Sequence, residues 1–422
     1  MIVLSHPTGN AFVRAILLGI EQAGWLDSFH TTVSFQRSHF WFNLLPPAVR
    51  ADCERRTYDV SADKVVSHPL RELVRLVACR LGWQLLVRHE SGWASVDAVY
   101  RDLDRQVAAY VERHGRSSSP APGLAGVYCY EDGALETFRA AHRKDLARFY
   151  DLPIAYFAVT GKLLKEEAER LPEWESTLGA IRDSAAKLER KAEEIALADV
   201  VIVPSRFVYG SLPEEIKGAK RCVVAEFGSP AADTTPWSHQ PRNPARPLRL
   251  LFAGAMTQRK GLADVMAAVK LLNRGDVELV VMGSPLAPMH FYRRQLPNFA
   301  YEPPRPHKGV LELMRTCDVL ILPSIVEGRA LVQQEAMMCE LPVIVTPNAG
   351  AEDLVEEGKT GFLVPIRSPA VLAEKIAWFA DHRTEIDEMG RLARRKARTV
   401  TWDNYRMKIL SEIRRVSGLS GS

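Results

Sequence analysis

Short runs of consecutive apolar residues alternate along this chain with longer stretches in which apolar positions recur every three or four residues. The short runs predict strands buried on both faces, and the longer stretches predict helices laid over them, the pattern of parallel α/β layers. The first block opens at once. Ile2 to Leu4 reads as a strand, His6-Pro7-Thr8-Gly9-Asn10 as a loop, and Phe12, Ile16, Leu17 and Ile20 as the inner face of a helix. Further strands are predicted at Thr31 to Phe35, Gly126 to Tyr130, Ile154 to Phe157 and Val200 to Val203, with a long charged helical pattern from about Lys162 to Ala198.

Residues 229–247 are crowded with Pro, Ser, Thr and Asn and carry no periodicity, which marks a linker. A second block follows, with strands at Leu248 to Ala253, Leu279 to Met282, Val319 to Leu322, Val343 to Val345 and Phe362 to Val364. The expected division is an amino-terminal unit over 1–228, the linker 229–247, a second unit over 248–399 and a final helix within 400–422. That helix either continues the second unit or crosses back onto the first. The stretch at about 36–123 breaks the alternation and reads as an elaboration of the first unit. One of its helices carries Leu70, Leu73, Val74, Val77 and Leu81 with Arg71 and Arg75; the other carries Val96, Val99, Leu103, Val107 and Val111. The Arg-rich helix, with Trp83 close behind, suits an anionic membrane surface, but the pattern favours a solvated helix covering the sheet.

Composition narrows the class. The chain has 422 residues, too many for one core, with 47% apolar and 25% charged residues, as in ordinary folded proteins. Lys plus Arg (55) against Asp plus Glu (51) leaves +4 spread along the chain, weak grounds for a nucleic-acid partner. The six cysteines show no zinc or disulfide spacing, and neither a leader nor a membrane-spanning run is evident, so a reduced, cytoplasmic setting is expected.

The segment richest in chemistry is Pro323 to Ala336. It follows a predicted buried strand and opens a helix, so the amides near Leu331 and Val332 form an anion site at the carboxyl edge of a sheet. Glu327 precedes that helix and suits a sugar hydroxyl; Glu335, just over a turn inside it, suits the two hydroxyls of a ribose. Lys260, beside Arg259 in a glycine-flanked loop after a strand, reads by itself as a solvated cap and takes on a phosphate role only when joined to the downstream motif. Tyr130 and Glu131 end a buried strand, where α/β clefts gather function, although a core or cap role fits them equally.

The run from Asp318 through Pro323-Ser324, Glu327-Gly328 and Glu335-Ala336 to Gly361-Phe362 resembles family-4 glycosyltransferases, whose E-x7-E pair is Glu327 and Glu335 here. The likeness extends to Gly254 through Gly261, to Ala198 through Phe207, and to the Gly9 loop. It implies the GT-B arrangement, two Rossmann-like domains facing across a cleft, with the nucleotide sugar held by the second and the acceptor by the first. It also implies transfer of a hexose from a nucleotide-diphosphate sugar to a hydroxyl, with retention at the anomeric carbon, in polysaccharide or glycoconjugate synthesis. The catalytic set is then Glu327, Lys260, Tyr130 and Glu131; donor phosphate and sugar fall to Gly9, Asn10, Arg259, Gly328, Arg329, Leu331 and Val332; ribose falls to Glu335. No cofactor or metal is expected, and the acceptor is a carbohydrate or a lipid-linked molecule, with peripheral contact at the inner face of a membrane compatible with it.

Three positions depart from the family pattern. Ala255 stands where Arg is common after the glycine, Arg329 follows Glu327-Gly328 where Phe is common, and Tyr130 takes the place of a histidine. Arg329 suits an acidic sugar, an acceptor phosphate or an outward salt bridge. The departures leave a second reading open, a GT-B protein that binds nucleotide or glycan without turnover, and behind it a sugar-nucleotide epimerase. Asp102-Leu103-Asp104 has the form of a metal-binding D-x-D, but its mid-helix setting predicts two solvated acids.

Overall fold

The computed structural model describes residues 1–35, 50, 53–54, 56–115, 123–230 and 245–419. Its strands form two sheets in which every pairing is parallel. The first sheet contains β1 (Ile2–Ser5), β2 (Leu26–Thr31), β3 (Val65–Ser67), β4 (Gly126–Tyr130), β5 (Ala147–Asp151), β6 (Val200–Val203) and β7 (Arg221–Val224). Its order is β3-β2-β1-β4-β5-β6-β7. The second contains β8 (Leu248–Ala253), β9 (Val277–Met282), β10 (Ala300–Glu302), β11 (Val319–Leu322), β12 (Val343–Val345) and β13 (Gly361–Leu363), in the order β10-β9-β8-β11-β12-β13. Central strands such as Val200–Val203 and Val319–Leu322 are buried throughout, because helices cover both faces of a parallel sheet.

This strand order positions the site. In each sheet the chain runs outward on one side and then returns to build the other, so the strand order reverses between β1 and β4 and between β8 and β11. Loops leaving the carboxyl ends of those strands diverge and open a crevice there. The loops so placed are 6–10 and 131–134 in the first unit, and 254–261 and 323–330 in the second.

Several expected elements move. The strand expected at Thr31 to Phe35 lies over Leu26–Thr31, where the run after Trp25 pairs with β1, and the one expected at Ile154 to Phe157 is Ala147–Asp151, paired with β4. In both cases the mixed-polarity run is the strand because it lies beside a buried neighbour, a tertiary condition. β3, β7 and β10 fall in segments without a strong apolar run. The charged helix expected over 162–198 is two helices, Phe157–Arg170 and Ala185–Leu197, separated by turns beginning at Pro172 and Gly179 and restarted by Ser184, whose side chain accepts from Lys187 N. Most of the expected linker, residues 231–244, lies outside the described residues, as do 36–49 and 116–122.

The two units exchange segments. The final helix, Trp402–Ser417, returns to the first unit, where Tyr405, Ile409 and Ile413 are buried with Ile2, Leu4 and Leu26. Trp174 does the reverse and is buried in the second core among Met256, Phe291 and Tyr292. A polar knot closes the same seam: the buried Glu167 carboxylate accepts from Gln258 (2.8 Å), Arg170 (2.7 Å) and Arg367, and Arg170 also grips Asp264.

Candidate functional site

Glycines bring the two reversal loops of the second unit together. A side-chain carbon on Gly283 would collide with the Gly254 carbonyl, and one on Gly261, at φ +78°, would collide with the Pro323 carbonyl. The backbone after β8 therefore presses on one side against the loop after β9 and on the other against the loop after β11, an approach that larger residues would forbid. Thr257 caps the short turn Gln258–Lys260 by accepting from Arg259 N at 3.1 Å. The result is an ion pair across the two reversal loops, Lys260 Nζ with Glu327 Oε1. Arg259 Nη1 lies 3.0 Å from the same oxygen and donates to the Val326 carbonyl at 2.8 Å.

Burial pushes the Glu327 carboxyl upward, but Lys260 and Arg259 outweigh it and hold the pKa below the usual carboxylate range. Glu327 is thus an ionised acceptor fixed between two cations. The helix Leu331–Met338 begins shortly afterwards with no side-chain cap at its amino end, so the dipole and amides at Leu331 and Val332 add positive potential beside the cluster. Glu335 lies on the second turn. Its pKa is raised by burial, partly opposed by His307, whose Nδ1 is 3.6 Å away.

Two expected donor contacts are corrected. Arg329 is buried and paired: its guanidinium forks onto Asp353 (2.6 and 3.0 Å) and donates to Gln334 Oε1 and the Gly350 carbonyl. A buried cation must be paired, and this one braces the loop through four of its five N–H groups with its charge neutralised by Asp353. Gly328 belongs to the seam instead. Its carbonyl accepts from Ser205 Oγ at 2.7 Å, and a side-chain carbon there would collide with the Pro153 carbonyl.

From the first unit, Gly9 and Asn10 sit in the loop after β1. A side-chain carbon on Gly9 would collide with the Tyr58 ring, and the Gly9 carbonyl accepts from Arg14 at 2.8 Å. Asn10 is exposed and makes no side-chain cap to the helix Ala11–Gln22. Leu331 and Phe12 both pack against the core of the first unit. Tyr130 requires a third correction. It is 3% exposed, packed edge-on against His6 (4.7 Å between ring centres) and beside Phe12 and Tyr128, so it is a core residue and not a cleft wall. Asp104 requires a fourth: buried, it accepts from the amides of Glu136 and Thr137 and so caps the helix Leu135–Arg143.

Glu131 opens onto a cavity of about 550 Å³, walled by the start of helix Phe157–Arg170 and by Asp183 and Lys191. Burial pushes the Glu131 carboxyl well above the usual carboxylate range, against the pull of Lys191, whose Nζ is 3.4 Å away. Sequence reasoning missed Lys191 and Asp183, because in a charged helical stretch they look like solvated surface. Among the described residues His89, Glu90 and Asp183 are the one His and carboxylate group of three with ligand atoms within 4.8 Å, and Lys187 already holds Asp183 at 2.9 Å.

Residues 233–396 match the family model described as glycosyl transferases group 1. The D-inositol 3-phosphate glycosyltransferase of Paenarthrobacter aurescens is 29% identical over 182 residues, 40% of this chain and 45% of that one. The chain spans about half the length of the curated relatives it matches. Among solved structures, sucrose-phosphate synthase from Thermosynechococcus elongatus superposes with TM-score 0.64 over 99% of both chains at 16% identity. HepE of Anabaena in complex with UDP-glucose superposes with TM-score 0.59 at 14% identity, covering 98% of this chain and 99% of that one. The family model covers residues 233–396 alone, and these solved structures, at 16% identity or less, show the fold that the two units share with them. The two parallel sheets are thus the two halves of a GT-B fold, and the Lys260–Glu327 cluster lies in the half that the family model matches.

Proposed function

We propose that this GT-B protein transfers a hexosyl group from a nucleoside-diphosphate sugar to a hydroxyl of a carbohydrate or lipid-linked acceptor, with retention at the anomeric carbon and without a metal ion. The observation that carries the reading is the meeting of Lys260, Arg259 and Glu327 beside the uncapped helix end at Leu331. A nucleoside diphosphate needs cations and free amides; a hexose needs an ionised hydrogen-bond acceptor; this cluster offers both.

In the reaction the bond between the anomeric carbon and the diphosphate oxygen breaks, and its electron pair leaves with the diphosphate. Lys260, Arg259 and the helix amides stabilise that growing charge in the place of a metal. Glu327 orients the sugar through its hydroxyls. Glu335 holds the ribose by accepting hydrogen bonds from its two hydroxyls. The acceptor hydroxyl enters from the first unit, past the Gly9-Asn10 loop and the Glu131 cavity, and gives up its proton to the departing phosphate as it bonds to the anomeric carbon. The Anabaena protein that shares the fold binds UDP-glucose, which supports a nucleotide-sugar donor.

Calorimetry with UDP, GDP and ADP, followed by assay of the corresponding sugars in EDTA, tests the reading. Glu335→Ala is expected to weaken diphosphate binding about ten- to a hundredfold, roughly 1.5–3 kcal/mol for a lost charged hydrogen-bonding partner. Retention is read from the anomeric proton of the product. Binding with neither transfer nor donor hydrolysis would make the protein a non-catalytic nucleotide binder.

A further inference from the structure

The helix Leu70–Leu81 lies the wrong way round for a helix that covers a sheet. Its buried residues are Glu72 and Ala78, and the Glu72 carboxylate is held by Arg75 at 2.7 and 2.8 Å and by Arg56 at 3.3 Å. The apolar stripe faces outward instead, with Leu70 at 66% and Leu81 at 59% exposure and Leu73 and Val77 between them. Gly82, at φ +71°, ends the helix, and exposed Trp83 and Leu85 follow on the next turn. Of the thirteen large apolar side chains exposed among the described residues, eight lie between residues 70 and 96. Exposed leucines are ordinary when scattered, but a contiguous apolar patch marks an interaction surface.

We propose that this face docks on the surface of an anionic lipid bilayer. The stripe and the two exposed indoles, Trp83 and Trp93, match the depth of the headgroup boundary, where apolar side chains enter and amphipathic rings settle. Charge selects the occupant. Four arginines, Arg71, Arg75, Arg80 and Arg88, lie in this segment; Arg80 and Arg88 are exposed, and Arg71 stacks over the Trp93 ring at 4.5 Å while pairing with Asp102 at 3.3 Å. The two acids of the segment turn inward: Glu72 is held by Arg75 and Arg56, and Glu90 accepts from the amide and hydroxyl of Ser184. A second copy placed on the stripe by a two-fold axis would bring basic rim against basic rim, whereas phosphate headgroups complement it.

The placement gives the docking a use. His89 lies 3.2 Å from Asp183, a wall residue of the Glu131 cavity, so the patch adjoins that cavity on the same side of the first unit. The bilayer then holds the cavity near lipid-borne hydroxyls. Docking itself needs neither donor nor transfer, so the two ideas fail independently.

Flotation of the whole chain with phosphatidylcholine vesicles, with and without about one third phosphatidylglycerol, tests the proposal. Anionic vesicles are expected to bind it at least about tenfold more tightly than neutral ones, and salt to weaken that binding. Leu73→Ser combined with Leu81→Ser should reduce binding by about tenfold or more. Arg88→Gln should reduce it about fivefold, the equivalent of roughly 1 kcal/mol per basic residue. Melting temperatures should not move, since the side chains are solvated. Absence of vesicle binding, or binding that the serine pair leaves intact, overturns the proposal. So does a dimer in sedimentation velocity that the serine pair disperses, which would assign the face to a second copy.

Discussion

Lys260 and Glu327 come from different loops, and their ion pair holds the two side chains in place before any substrate arrives. Holding such groups ready lowers the reorganisation that charge development would otherwise demand. In the proposed transfer the diphosphate gains charge as it leaves, so Lys260 should contribute more in the transition state than in the ground state. Lys260→Ala should therefore lower kcat by about ten- to a thousandfold while raising KM far less. Steady-state kinetics decide it: a variant with unaltered kcat takes Lys260 out of the leaving-group role. Among single residues, Glu327 and Glu335 were legible as a pair only through the family resemblance, since two glutamates eight apart are by themselves ordinary surface residues. Arg329 was not, because the partner that removes it from the cleft, Asp353, lies in a later loop and is joined to it only by folding.

Among elements, the seam between units is set by backbone contacts that admit no side chain. A carbon on Gly328 would collide with the Pro153 carbonyl, and backbone yields less readily than a flexible side chain. Gly328→Ala is expected to cost about 2 kcal/mol or more, read as a lower melting temperature. Gly161 is the control. A carbon there meets nothing within 4 Å inside the helix Phe157–Arg170, so Gly161→Ala should be neutral or stabilising by about 0.5–1 kcal/mol. Equal melting temperatures for the two variants would show that the seam can open without cost. No helix among the described residues is long and apolar enough to cross a membrane.

The molecule as a whole is tied by its last helix. Tyr405 from that helix and Tyr128 from β4 both donate to Asp151, at 3.4 and 2.6 Å. Burial raises the Asp151 pKa from 3.8 to about 7, against the pull of the two hydroxyls. Between those values the folded chain keeps a proton that the unfolded chain releases, so this group's contribution to stability is complete below 3.8 and is lost as pH rises through about 7. Asp151→Asn, which keeps an oxygen for Tyr128, should flatten the decline. Melting curves from about pH 4 to 8 for both proteins check it, and parallel curves would mean that Asp151 titrates normally.

By itself the sequence determined the layer class, the strands that are uninterrupted apolar runs, and the helix that starts at Leu331. These are readable because each depends on neighbours within one element: a buried strand needs only its own residues to be apolar, and a helix start needs only the turn that precedes it. Tertiary structure decided the rest. Strands such as Ala147–Asp151 are strands because of the neighbour they pair with, Tyr130 is core because the His6 loop folds over it, and the last helix belongs to the first unit because Tyr405 finds Asp151 there. The outward stripe of Leu70–Leu81 is the clearest case. Periodicity shows that a helix has an apolar face, but only the packing of Glu72 beneath it settles which face is left to the solvent.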